Sequence, residues 1–189
     1  MNPSSRAPED NRAVSSDEQL IARTASGDHT AFEALVSKYQ GPALNLAYRL
    51  LGDPAEAEEA VQETFLRVYR NAGRFHPAAP FRAWFFQILA NICKDTMKKS
   101  KPVYGSVLPD RASPQEGAAA SFERRQREQT IGRELARLPV NQRLALLLSF
   151  VEDLSYRDIA HSLNVSIKSV ESLLVRAKKT MRWRLSGYL

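Results

Sequence analysis

The chain has 189 residues, of which 27 are Lys or Arg and 21 are Asp or Glu, giving a formal charge of +6, and 43% are hydrophobic. That balance excludes a wholly disordered chain and allows one or two small folded domains, while the basic excess is compatible with a polyanionic partner. Cys93 is the single cysteine, which excludes an internal disulfide and a cysteine-cluster metal site; His29, His76 and His161 are too scattered for a zinc motif, so no metal and no cofactor are expected.

Residues 1–15 lack the apolar centre of a signal peptide, and no later run reaches the roughly 18 apolar residues of a membrane span. The expectation is a cytoplasmic protein without membrane association and with a disordered start. Ser16 with Gln19 makes a capping-box pattern, and Gly27 stops the short helix that follows. Asp28 can cap a second helix carrying Phe32, Leu35, Val36 and Tyr39, expected to end near Gly41 and Pro42. A third segment, ALNLAYRLL, stops at Gly52. Asp53, Pro54 and Glu56 then supply an N-cap, a first-turn proline and an N3 acid for a helix running to about Asn71.

In that helix the charged residues through Glu63 are all acids, among them Asp53, Glu59 and Glu63, and Phe65, Leu66 and Tyr69 follow. It offers an acidic face beside an apolar one. RFHPAAP reads as a loop, and Pro80 opens a long helix with Trp84, Phe85, Ile88, Leu89 and Ile92 at core spacing. Asn91 and Asp95 stand one turn apart on that helix, beside Lys94, Lys98 and Lys99. Polar groups that can bind base edges, next to cations that hold phosphate, suit capture of single-stranded nucleic acid.

Residues 101–121 shift to Pro, Gly, Ser and Ala and read as a flexible linker, which divides the chain into a helical domain over 16–100 and a second over 122–189. The fold class is all-α, with two small domains on a tether. In the second, breaks fall at Pro139, Asp153 and Asn164. Ser155 with Asp158 caps a short helix burying Ile159, Ala160 and Leu163; Asn164 sits where positive φ is needed, and Val165 plugs the corner. Ser166 caps a further helix with Ile167, Val170, Leu174, Ala177 and Met181 as its buried stripe.

This is a helix-turn-helix layout. The outer side of its second helix carries Lys168, Ser169, Glu171, Ser172, Val175, Arg176 and Lys179, and from Arg176 to Arg184 cations follow one another with no acid between them. Such a row can hold several phosphates, and Ser172 and Arg176 can donate to base edges.

The ending LSYRDIAHSLNVSIKSVESLLVRAKKTMR resembles the second DNA-binding domain of extracytoplasmic-function (ECF) sigma factors, small members of the sigma-70 family. DPAEAEEAVQETFLRVYRN and FRAWFFQILANICKDTMKK are similar to the same family's core-polymerase-binding and -10-reading helices, in the right order. The resemblance implies a non-enzymatic initiation factor that directs core RNA polymerase to promoter DNA, reading a duplex -35 element and a flipped base of the melted -10 element. It implies that Asp53, Glu59, Gln62, Glu63, Phe65 and Leu66 face core polymerase, and that Arg74, Phe75 and His76 join Asn91, Lys94, Asp95, Lys98 and Lys99 at the -10 element. It further implies an anti-sigma partner and no small-molecule substrate.

Family members commonly carry basic residues where Glu171 and Leu173 stand, and often a glycine at Asn164. An acid on the DNA face can accept from a cytosine amino group, which implies a -35 preference different from the commonest; pairing of Glu171 with Lys168 or Lys178 is the alternative. Two other functions are weighed. A dimeric helix-turn-helix regulator would leave the acidic face and the Asn91 surface without a role, and a sigma-like decoy for an anti-sigma protein would not need the Arg176–Arg184 row. No phosphate-cradling glycine loop and no nucleophile with its base in motif context points to an enzyme.

Overall fold

A computed structural model describes residues 16–76, 79–99 and 118–188, and among these every regular element is helical. The expected disordered start and most of the expected linker, 101–117, lie outside the described residues. The first domain comprises α1 (Asp17–Ala25), α2 (His29–Leu51), α3 (Pro54–Arg70), a single 3-10 turn (Ala72–Arg74) and α4 (Phe81–Lys99). The second comprises α5 (Ala118–Ala136), α6 (Val140–Phe150), α7 (Tyr156–Leu163) and α8 (Ile167–Leu185), so α5 opens inside the stretch read as linker.

Helix starts follow the local capping chemistry. The Ser16 hydroxyl accepts from the Gln19 amide at 3.2 Å while the Gln19 side chain returns a bond to the Ser16 amide at 3.0 Å. Asp28, Asp53, Ser155 and Ser166 cap α2, α3, α7 and α8, each accepting at its side-chain oxygen from the amide three residues on.

One expected stop does not occur. α2 runs unbroken through Pro42 to Leu51, where Gly52 takes the left-handed conformation at φ 78°. A proline inside a helix removes one backbone bond and crowds the preceding turn, at roughly 3 kcal/mol. Here Tyr39, Ala43, Leu46, Ala47 and Leu50 bury one continuous face across that position, and this packing outweighs the local penalty.

The first core gathers around Tyr39, whose ring meets Phe85 at 4.8 Å and Phe81 at 5.3 Å between centroids. Its hydroxyl donates to Asp17 at 2.6 Å, and Glu18 accepts from the Phe81 amide at 3.1 Å, so α1 anchors α2 and satisfies the start of α4. Burial and the Asp17 contact push the Tyr39 phenol far above its ordinary value.

In the second domain α6, α7 and α8 close around Leu144, Leu148, Ile159, Leu163, Val170 and Leu174. Ile167 was expected in this stripe but is 44% exposed. It is the first residue of α8, and Val165, packed against the core from the turn, occupies the corner in its place. Asn164 adopts φ 54°, ψ 51°, as the tight turn requires. A β-branched side chain at this position is strained whereas glycine is not, so Asn164→Val should lower stability by about 1–2 kcal/mol while Asn164→Gly retains it. Chemical denaturation followed by circular dichroism measures both.

Candidate nucleic-acid and polymerase interfaces

Three surfaces carry the expected site residues. On α3, Ala57, Ala60, Val61, Thr64, Phe65 and Val68 face the core. Glu59, Gln62, Glu63 and Leu66 fall on the opposite side at three- and four-residue steps. Leu66 is 48% exposed, and Glu63 pairs with Arg67 at 2.6 Å within the helix. Asp53 is spent on the cap, accepting from the Glu56 amide at 2.9 Å.

Phe65 was expected on this surface and is not there. Its ring lies 5.3 Å from Phe85 in the core, because it follows Val61 by one helical turn on the buried face. Tyr69, read in the sequence beside Leu66 but not included among the polymerase-facing residues, extends the apolar edge three residues beyond Leu66 and is seated against Phe32 at 5.0 Å and His29 at 6.2 Å. Its step of three from Leu66 was the available signal.

On α4, Asn91, Asp95, Lys98 and Lys99 are exposed and Lys94 is half-buried. Asp95 accepts from Lys98 at 2.8 Å, and this contact holds its carboxyl below the usual range, so near neutral pH it is an acceptor. Partial burial and the neighbouring Lys98 charge lower the Lys94 ammonium. Arg74, which closes the 3-10 turn, and His76 just after it are exposed, whereas Phe75 is half-buried with its ring 5.3 Å from Trp84. Phe75 therefore packs against the start of α4 and is only partly exposed.

On α8 the Lys168, Ser169, Glu171, Ser172, Val175, Arg176 and Lys179 face is exposed throughout. Ser166 and Ser169 share a hydroxyl contact of 2.8 Å at the cap, and Ser172 donates to the Lys168 carbonyl at 3.0 Å, so Ser172 offers an outside partner its lone pairs. No hydrogen bond or ion pair among the described residues holds the Glu171 carboxylate, and Lys178 instead lies over the Phe150 ring at 4.9 Å. The alternative pairing of Glu171 is therefore not formed. Farther along, Arg184 turns inward to the Glu134 carbonyl at 3.2 Å, and so the basic row ends at Arg182.

A helix-turn-helix with a free, mainly cationic outer face, tethered to a helical domain with separate acidic and basic surfaces, defines a two-domain DNA-binding architecture. The family model described as "Sigma-70 region 2" matches residues 35–102, and "Sigma-70, region 4" matches residues 128–181. The chain is 33% identical over 176 residues to the RNA polymerase sigma-H factor of Pseudomonas aeruginosa, covering 87% of this chain and 91% of that one. It is 29% identical over 180 residues to the ECF RNA polymerase sigma factor SigW of Bacillus subtilis, covering 87% and 94%. Among solved structures, CnrH in complex with the cytosolic domain of CnrY superposes with a TM-score of 0.69 at 28% identity, covering 90% of this chain and 97% of that one. The chain belongs to the ECF sigma factors of the sigma-70 family.

No helix among the described residues is long and apolar enough to cross a membrane. Cys93 is fully buried on α4, and desolvation pushes its thiol up to about 12. Native protein should therefore resist a thiol reagent over minutes and react at once in guanidinium, as absorbance of the released thiolate will show.

Proposed function

We propose that this chain is a promoter-specificity factor that acts in the cytoplasm and performs no chemistry itself. It brings core RNA polymerase to promoter DNA and reads two elements, the -35 duplex through α8 and a flipped -10 base through α4. The observation that carries this reading is the family's two regions, in order, each with an exposed polar and cationic face on a single helix.

The roles divide by chemistry. Arg176 and Lys179 hold phosphate, which fixes register without reading sequence. Glu171, free on the same face, accepts from a cytosine amino group and supplies discrimination. On α4, Lys98 and Lys99 hold the strand while Asn91 and Asp95 meet the extruded base, whose unstacking costs a few kcal/mol that these contacts offset. Asp95 favours a base presenting an amino group. Glu59, Gln62, Glu63 and Leu66 form the polymerase-facing strip, with Tyr69 at its apolar end. An anti-sigma protein is the expected inhibitor; the similar CnrH is solved in complex with a protein partner, the cytosolic domain of CnrY.

Purified protein added to core polymerase on supercoiled genomic DNA, with 5′-end sequencing of transcripts, tests the reading. Starts that depend on the protein and share two spaced motifs are expected, and their absence with active polymerase refutes it. In the same assay Glu171→Ala should relax the preference at one -35 base pair, a loss of about 1–3 kcal/mol of discrimination. Glu63→Arg should weaken binding to core polymerase about tenfold in a pull-down titration without lowering helicity, a change of about 1.4 kcal/mol.

A further inference from the structure

Trp183 is 76% exposed on α8, and among the described residues no ring or cation contact covers it. Phe150, by contrast, carries Lys178 over its ring. Lys168, Ser172, Arg176, Lys179 and Trp183 recur at three- and four-residue steps, so the indole closes the same stripe that carries the proposed -35 residues. Arg182 precedes it, and α8 has no acid after Glu171.

The last turn of α8 is pinned. Glu134 of α5, 5% exposed, accepts from Arg137 at 2.8 Å, and its backbone carbonyl accepts from Arg184 at 3.2 Å. The Arg184 guanidinium also stands 3.8 Å from the second Glu134 carboxylate oxygen. Met181 is buried and Leu185 packs against the core. Trp183, between these anchors, is therefore presented in a fixed direction and not from a frayed end.

Trp183 stands about 17 Å beyond Ser172 along the helix axis. The major groove is about 12 Å wide and curves away from a straight helix, whose N-terminal turns meet the base edges. The end of the stripe is thereby carried past the bases and over the strand that borders the groove. That strand offers an apolar deoxyribose face between anionic oxygens. An indole set among cations is its complement, with a flat apolar body and one N–H that can donate to a phosphate oxygen.

We propose that Trp183 packs on the sugar–phosphate backbone of duplex flanking the -35 element, between phosphates held by Lys179 and Arg182, and extends the footprint beyond the bases that α8 reads. This inference rests on the -35 reading of α8 proposed above. The contact adds affinity without adding base preference. Because it neutralises no phosphate charge, it leaves the salt dependence of binding unchanged.

The test assembles the full chain with core polymerase and measures binding to a -35 duplex found by start-site sequencing, with flanking duplex left long or trimmed at either end. Trp183→Ala should weaken binding to the long duplex about tenfold, with the same base preference and the same salt slope. Lys179→Ala, in contrast, should lower that slope by about 0.9. Trimming at one end should cost the parent about tenfold and leave Trp183→Ala unaffected, because the contact is already gone. Trp183→Phe, which keeps a ring and loses the N–H, should bind between parent and Trp183→Ala. The side chain lies outside the core, so circular dichroism should be unchanged in both variants. Parental binding by Trp183→Ala, a loss that persists undiminished on both trimmed duplexes, or an altered base preference overturns the contact. So does a loss that appears in assembly with core polymerase and not in DNA binding. Failure of the parent complex to bind the -35 duplex refutes the promoter reading itself, whereas normal parental binding with silent Trp183 variants refutes this contact alone.

Discussion

Three chemically different surfaces converge on α4, and the rest of the structure depends on how that helix is held. Phe81 and Phe85 face Tyr39 and the first core. Ala83 and Met97 face the second domain. Asn91, Asp95 and Lys98 face solvent. A helix pinned on two sides has little freedom to rotate, so its third side presents polar groups in a fixed direction. That is what a pocket for an extruded base needs, because the cost of unstacking is recovered only by contacts already in place.

The pinning is reinforced at the start of the helix. Glu18 accepts from the Phe81 amide, and Asp17 binds the Tyr39 hydroxyl and Lys38, so two acids of α1 fasten α2 and α4 together. α1 thus acts as a clip on the reading helix although it touches none of the proposed nucleic-acid residues. α8 is held by simpler means. Val170, Leu174, Ala177 and Met181 bury one stripe, the Ser166 cap fixes its start, and everything outside that stripe is left to meet a groove.

Legibility in the sequence tracked the range of the interaction. Caps at Ser16, Asp28, Asp53, Ser155 and Ser166 and the left-handed turn at Asn164 depend on residues within a few positions, so their chemistry could be read directly. Pro42 was misread because its local rule was overridden by a buried face that only the tertiary structure assembles. Phe65 and Ile167 were misplaced for a related reason: periodicity reports that apolar residues alternate with polar ones, and it leaves the edges of the buried stripe undetermined by one helical position. The exposed polar and cationic faces of α4 and α8, for which DNA reading is proposed, could be seen in the sequence because a cluster of cations at helical spacing is itself a local signal.

The contact between the domains left no such trace. Arg82, Glu152 and Ser162 are ordinary surface types, and Ala83, Ala90 and Cys93 look like the edge of a single-domain core. Only the arrangement of α4 against α7 shows that Glu152 loses its solvent and draws its charge partner from the other domain. A buried carboxylate with a partner across a domain boundary is a poor way to gain stability, since replacing such a pair with apolar side chains is often neutral or favourable. Its physical consequence is directional: the Arg82 guanidinium meets both the Glu152 carbonyl and its carboxylate, which fixes how the two helical units sit against each other.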